Sequence, residues 1–274
     1  MCIRDSLKEE YDNIEAGKKL QNKNVKIAGR IRSIRKHGKL IFADIEDITG
    51  RIQAALEHKT VGKDMFELFS LLNIGDFVGI DGYIVKTGRG ELSVWAKNFS
   101  LLCKSLRPLP DEWFGLKDTD IRYRQRYVDM LMNENVRKVF ITRSRIISAM
   151  REFLNHHGFI EIETPILQPI YGGTLAEPFV TKHNILDRTL YLRISPELYL
   201  KRAVVGGLEK VYEIGKNFRN EGIDTSHNTE FTTMEFYWAY ADYQDNMQLT
   251  ELSLIHISEP TRPLYISYAV FCLK

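Results

Sequence analysis

The run from Val211 to Tyr240, VYEIGKNFRNEGIDTSHNTEFTTMEFYWAY, holds the side chains of this chain best suited to chemistry. Arg219 and Glu221 stand two apart on an extended run, so they share one face of a strand. A polar loop from Gly222 to Thr229 carries His227. A second extended run then sets Phe231, Thr233, Glu235 and Tyr237 on one face. Folded as a hairpin, this stacks an arginine, two carboxylates and two aromatic rings on one sheet surface. Guanidinium suits phosphate, a ring suits a base, and carboxylates suit an amine or a metal. The plain alternative is a solvated charged hairpin. Arg219, Glu221, Glu230 and Glu235 are embedded among apolar and aromatic neighbours, which argues against all four being free in water.

The elements upstream must position that hairpin. In YGGTLAEPF (171–179), Gly172 and Gly173 let backbone approach a ligand closely. In LYLRISPELYLKR, residues 190–192 read as a strand and SPELYLKR as a capped helix. Ser195 is the expected cap, Pro196 the first position and Glu197 a first-turn acid. The helix dipole keeps such a carboxylate ionised, so it can face an ammonium group. Val136 to Asn155 carries an apolar stripe at helical spacing, with Gly158 as its stop. Residues 158–167 follow as a strand that meets Pro165, which marks a strand end or edge. The Pro-rich LRPLPDEWFGL (106–116) sets a domain boundary near Pro108.

Before that boundary the pattern is different. Residues 7–20 read as a short charged helix. From Val25 apolar and basic residues alternate, with Val25, Ile27, Gly29 and Ile31 on one face. Strands at 40–47 and 51–57 follow, then a helix over 61–71, then strands at 76–87 and 91–102. Three strands, a helix and two strands is the order of an OB-fold β-barrel. Such barrels hold single-stranded nucleic acid on aromatic and basic side chains.

Bulk properties bound the rest. The 274 residues are 44% hydrophobic and 27% charged, ordinary globular composition with room for two domains. A net charge of +2 leaves any RNA binding to local patches. No apolar run of about 20 residues is present, so no membrane span is expected. No signal peptide is visible, and Cys2, Cys103 and Cys272 have no metal or disulfide spacing. These features fit a reduced cytoplasmic protein.

The two ends share an origin. MCIRDS can be encoded by ATG TGT ATA AGA GAC AG, whose reverse complement reads Leu-Ser-Leu-Ile-His-Ile, residues 252–257. Inverted copies of one DNA string at both ends point to a sequencing adapter. Residues 1–6 and 252–274 are therefore expected to be adapter-derived, and the tail to lack consistent contacts with the body.

The string FRNEG…HN.EFT..E.Y resembles motif 2 of the class II aminoacyl-tRNA synthetases, most closely the lysyl-tRNA synthetases. The helix, strand and Pro165 resemble motif 1 of the same class. The resemblance implies an α+β fold: an N-terminal OB-fold barrel (7–107) that binds the anticodon, then a truncated antiparallel-sheet catalytic domain (108–251). It implies ATP and Mg2+ as cofactors, lysine and tRNA(Lys) as partners, and a homodimer built through motif 1. Carried over, Arg219 binds the α-phosphate as the catalytic residue, Glu221 contacts the adenine end, Phe231 stacks on adenine and His227 approaches the outer phosphates. Gly173, Glu197, Glu235 and Tyr237 surround lysine. In the barrel, Phe42 stacks a base, Gln53 and Glu91 hydrogen-bond the anticodon, and Arg30 is a basic neighbour. Ser226 stands where an Arg is common, Thr229 where a Pro is usual, and Thr174 where a small Ala is usual. No motif 3 element and no Mg2+ ligands are visible, so the chain reads as an N-terminal fragment, expected to be inactive alone and prone to aggregate through exposed sheet edges. Aspartyl- and asparaginyl-tRNA synthetases rank below, because their corresponding helix carries Gln where this chain has Glu197. A non-catalytic OB-type nucleic-acid binder is the alternative of another class.

Overall fold

Alternation of apolar residues closes the first half of the chain into a ring of five strands. After a short α1 (Glu9–Tyr11) come β1 (Lys19–His37), β2 (Leu40–Glu46), β3 (Arg51–Glu57), α2 (His58–Val61), α3 (Lys63–Ser70), β4 (Phe77–Lys86) and β5 (Leu92–Cys103). The computed structural model describes residues 7, 9–11, 13–110, 116 and 118–258. The barrel order is β1-β2-β3-β5-β4. The long β1 pairs antiparallel with both β2 and β4, and β3 meets β5 in parallel. Ile27, Ile41, Ile45, Leu56, Ile84 and Val94 point inward and are buried. Phe69 of α3 is fully buried, its ring 4.9 Å from that of Phe99.

The start of this unit departs from the sequence reading. Instead of a helix over 7–20, α1 spans three residues and β1 begins at Lys19. Lys19 and Leu20 pair with Val85 and Ile84 of β4, so ladder hydrogen bonds take residues that local pattern gave to a helix. Residues 1–6, 8, 12, 111–115, 117 and 259–274 lie outside the described residues, and with them the whole first expected adapter segment, most of the second and part of the Pro-rich linker.

The chain divides into two compact units, Met1–Val128 and Asp129–Lys274, about twenty residues beyond the boundary read near Pro108. The first unit ends with α4 (Thr119–Arg124), capped by Asp118, and α5 (Arg126–Met132) spans the division. The second unit holds α6 (Glu134–His156), β6 (Ile160–Glu161), β7 (Leu167–Gln168), β8 (Val180–His183), β9 (Arg188–Leu192), α7 (Glu197–Val205), β10 (Lys210–Phe218), β11 (Glu230–Trp238) and α8 (Tyr243–Ser258). One sheet has the order β11-β10-β6, the other β7-β9-β8. The expected strand over 158–167 is in fact two short pieces. β6 runs parallel to β10, and β7 antiparallel to β9. Pro165, which has no N–H to donate, lies in the break. Phe153, Leu154, Phe159, Tyr212 and Leu249 form the core against the hairpin.

Residues after Glu251 also differ from expectation. Helix α8 continues to Ser258, Ile257 is buried, and the His256 ring lies 5.6 Å from that of Phe153. Leu and Ile extend a helix readily whatever their origin, and one turn of contact with α6 follows. Leu252, Leu254 and Ile255 stay exposed. Among the described residues, no helix is long and apolar enough to cross a membrane.

Candidate functional site

The hairpin register builds one working face. Asn217 lies opposite Phe231, Gly215 opposite Thr233, Glu213 opposite Glu235 and Val211 opposite Tyr237. Directly opposed residues project to the same side of a sheet. Arg219 lies one residue past the end of β10, not within it, but its N–H donates to the Thr229 carbonyl at 2.9 Å and carries the pairing one step further. Its guanidinium carbon sits 5.0 Å from the centre of the Phe231 ring. Arg219 Nε is buried without a hydrogen-bond partner. An orphaned guanidinium donor beside an aromatic ring is the pair that a nucleotide phosphate and base would use.

Beyond Arg219 the extended run ends. The Asn220 N–H turns to the Glu177 carbonyl at 2.8 Å, and exposed Glu221 accepts from the Glu177 N–H at 3.4 Å. Glu221 therefore stands at the rim and not on a strand face. His227 is also exposed, with Nδ1 2.8 Å from the Asp224 carboxylate. Asp224 accepts from the Ser226 and His227 N–H groups as well. The His227 hydrogen bond is the main cause holding the Asp224 carboxyl below its ordinary range. The loop closes on its own carboxylate, and His227 is not gathered to Arg219.

The second cluster converges on α7. Gly173 has φ +93°, a conformation L side chains avoid, and a Cβ there would lie 2.8 Å from both Glu197 Cβ and Ser195 Oγ. The Ser195 hydroxyl donates to Glu235 at 3.0 Å and accepts from the Glu197 N–H at 3.1 Å. Helix α7 starts at Glu197 with Pro196 in the cap position, one residue later than the sequence suggests. Pro196 has no side-chain group to bond the first turn, so the Ser195 hydroxyl serves Glu197 from one residue further out. Lys201 Nζ lies 2.6 Å from Glu197 Oε1 and 6.0 Å from the centre of the Tyr237 ring. Gly173, Glu197, Glu235 and Tyr237 are thus brought together. Burial raises the Glu235 carboxyl above its ordinary range; the Ser195 hydrogen bond opposes this and the Glu197 charge adds to it. Burial, then the charges of Glu197 and Glu235, raise the Tyr237 hydroxyl and keep it protonated.

A buried support beside these carboxylates was not foreseen from sequence. Arg193 is 1% exposed and pairs with Glu213. Its Nε donates to the Lys216 carbonyl at 2.8 Å and its Nη1 to Thr164 Oγ1 at 2.9 Å. A Cβ at Gly215 would fall onto Arg193 Nη2, so only glycine leaves the space. The signal was an arginine inside the apolar run LYLRI, which needs a buried partner. Among the described residues no group of three His, Cys, Asp or Glu could hold a metal ion, so these residues do not by themselves fit a Mg2+ site.

The barrel carries a separate face, outside its core. Cross-strand rows place Phe42 beside Ala55 and Trp95, and Asp44 beside Gln53 and Ser93. Phe42 is half-buried between inward-facing Ile41 and Ala43. Gln53 Oε1 accepts from the Ser93 hydroxyl at 3.0 Å, and Glu91 lies exposed two residues before Ser93. Arg30 is not gathered with them: its Nη1 donates to the Gly75 carbonyl at 3.0 Å and its guanidinium covers the Phe77 ring at 4.1 Å. Trp95, with Lys19 Nζ 4.8 Å from its ring centre, joins the Phe42 row and was missed. The alternation Val94-in, Trp95-out could have found it.

Comparisons with known proteins place both halves of the chain in families. Residues 118–264 match a family described as tRNA synthetases class II (D, K and N), and residues 25–102 match one described as OB-fold nucleic acid binding domain. A lysine–tRNA ligase of Carboxydothermus hydrogenoformans is 56% identical over 252 residues, covering 92% of this chain and 51% of the relative. One of Moorella thermoacetica is 53% identical over 253 residues, covering 92% and 50%. One of Pelotomaculum thermopropionicum is 58% identical over 232 residues, covering 85% and 46%. The chain spans about half the length of the curated relatives it matches. With a five-stranded barrel in its first unit and the class II match running over more than half of its length, the chain belongs to the class II tRNA synthetases of the D, K and N group.

Proposed function

We propose that the complete protein carrying this chain is a lysine–tRNA ligase, which activates lysine with ATP and passes it to tRNA(Lys). The observation that carries the reading is the acidic pocket formed by Glu197, Glu235 and Tyr237 around Gly173, which already holds an ammonium group, that of Lys201. Lysine would sit there with its cationic groups toward the two carboxylates. Its own carboxylate oxygen would attack the α-phosphorus of ATP. One P–O bond forms, the bond to the bridging oxygen breaks, and pyrophosphate leaves with that electron pair. Arg219 would bind the α-phosphate and offset the charge that grows on it. Phe231 would stack on adenine, Glu221 would meet its edge from the rim, and His227 would reach the outer phosphates after leaving Asp224. Most of the rate gain would come from positioning and fixed charge. Mg2+ would screen phosphate charge; the described residues supply no ligand set for it, and no step here depends on one.

The barrel would read the anticodon through Phe42, Gln53 and Glu91, with Arg30 as a neighbour at the end of the ladder. The region from α6 to β7, with Val139, Phe140, Ile160 and Leu167 exposed, would form the homodimer interface. A cytoplasmic location, a barrel domain over 7–107 and adapter origin for 1–6 and 252–274 complete the proposal. Lysine-dependent exchange of pyrophosphate into ATP tests it. The uninterrupted gene product should support exchange with lysine, and Arg219→Ala should lower it about 100-fold or more. Exchange supported by aspartate or asparagine in place of lysine would remove the substrate assignment, since the family covers all three amino acids.

A further inference from the structure

Lys201 has no role in the scheme above, yet its ammonium lies where the scheme needs one. Glu197 and Lys201 are one turn apart on α7, so their side chains meet on one helix face. The Glu197 side chain is only 25% exposed, and its backbone is fixed by Ser195. The Lys201 side chain is 57% exposed and reaches over from the solvent side. Its Nζ comes 2.6 Å from Glu197 Oε1, with the Tyr237 ring 6.0 Å away. An empty pocket would leave two nearby carboxylates, Glu197 and Glu235, repelling each other without a cation. Lys201 removes that repulsion from one side.

We infer that Lys201 is an internal counter-ion of the amino-acid pocket, a positioning residue that holds Glu197 until the ammonium of a substrate takes its place. The inference rests on the proposed role of Glu197 in binding lysine. Two ammonium groups crowded on one carboxylate repel each other, so substrate binding displaces the more exposed Lys201 toward solvent. The displacement sets a threshold. A ligand whose amine is neutral cannot outcompete a cation already paired at 2.6 Å, whereas a cationic ligand exchanges like for like. Lys201 thereby trades affinity for selectivity.

The test uses the complete protein and steady-state exchange with L-lysine as the probe. Lys201→Met and Lys201→Gln should each lower KM for lysine about two- to fivefold, the worth of an exposed ion pair, with kcat little changed. Lys201→Arg, which keeps the charge and the reach, should behave as the wild type. In Glu197→Gln the KM for lysine should rise, and adding Lys201→Met to that variant should give no further decrease, because both act through one carboxylate. An unchanged or raised KM in both Lys201→Met and Lys201→Gln, with Glu197→Gln impaired, overturns the counter-ion role alone. An unimpaired Glu197→Gln removes the binding role of Glu197 and the counter-ion role with it. Thermal melts of each variant identify any change due to folding, and Lys201 is exposed enough that little is expected.

Discussion

At the residue scale, the pocket is built from groups that are uncomfortable without a ligand. Glu235 is half-buried, its carboxyl is raised by burial, and it has one hydroxyl donor, Ser195. Between the ordinary glutamate pKa and the raised one, the folded chain holds more protons than the unfolded chain. Stability therefore falls as pH rises through that window, and the penalty persists above it. Glu235→Gln should raise the melting temperature at neutral pH, and only modestly, because solvent still screens the site. The advantage should vanish below about pH 4, and thermal melts across that range check it. The same substitution should abolish lysine-dependent exchange. The shared face of Glu235 and Tyr237 and the first-turn place of Glu197 were legible in the sequence, because two-residue spacing on a strand and a first-turn acid on a helix fix their sides; Arg219 lies past the strand end, beyond what that spacing fixes. Lys201 and Ser195 were not assigned to the pocket, because their roles arise from the approach of α7 to β11, which no local spacing records.

At the element scale, the two sheets of the second unit are joined through Arg193. It sits at the end of β9 and reaches Glu213 and Lys216 of β10. Glycine at 215 leaves the space for its guanidinium. Gly215→Ala should push Arg193 aside and leave Glu213 buried without its cation, lowering stability by about 3 kcal/mol. A fall in melting temperature with no change in barrel circular dichroism would be the expected result. Helices and barrel strands were readable because their apolar periods run for many residues. The stretch 158–167 was not, since β6 and β7 are two-residue pieces whose partners lie over 20 residues away. Short pairings of that kind are set by tertiary contacts, not by local propensity. The helix expected over 7–20 failed for the same reason, with β4 claiming Lys19 and Leu20.

At the scale of the whole molecule, each unit carries a candidate site of its own. The barrel face has Phe42 outside the core, so its ring can be removed without disturbing the fold. Phe42→Ala should weaken binding of a single-stranded RNA oligonucleotide carrying the tRNA(Lys) anticodon by about 1–3 kcal/mol and leave the barrel's melting unchanged. Fluorescence anisotropy of a labelled oligonucleotide measures this. Arg30, in contrast, is already held by Gly75 and Phe77, so its substitution should affect the barrel itself more than the RNA. The barrel topology was legible as an order of strands and one helix. The Pro-rich boundary near Pro108 falls between the two family matches, 25–102 and 118–264, while the compact units divide after Val128.

Ring closure in the first unit leaves every strand with two neighbours, whereas β11 has β10 on one side only. Amide hydrogens along the outer edge of β11 should therefore swap for deuterium sooner than those of β1. If the hairpin holds a nucleotide as proposed, a bound adenylate analogue should slow that exchange along β11.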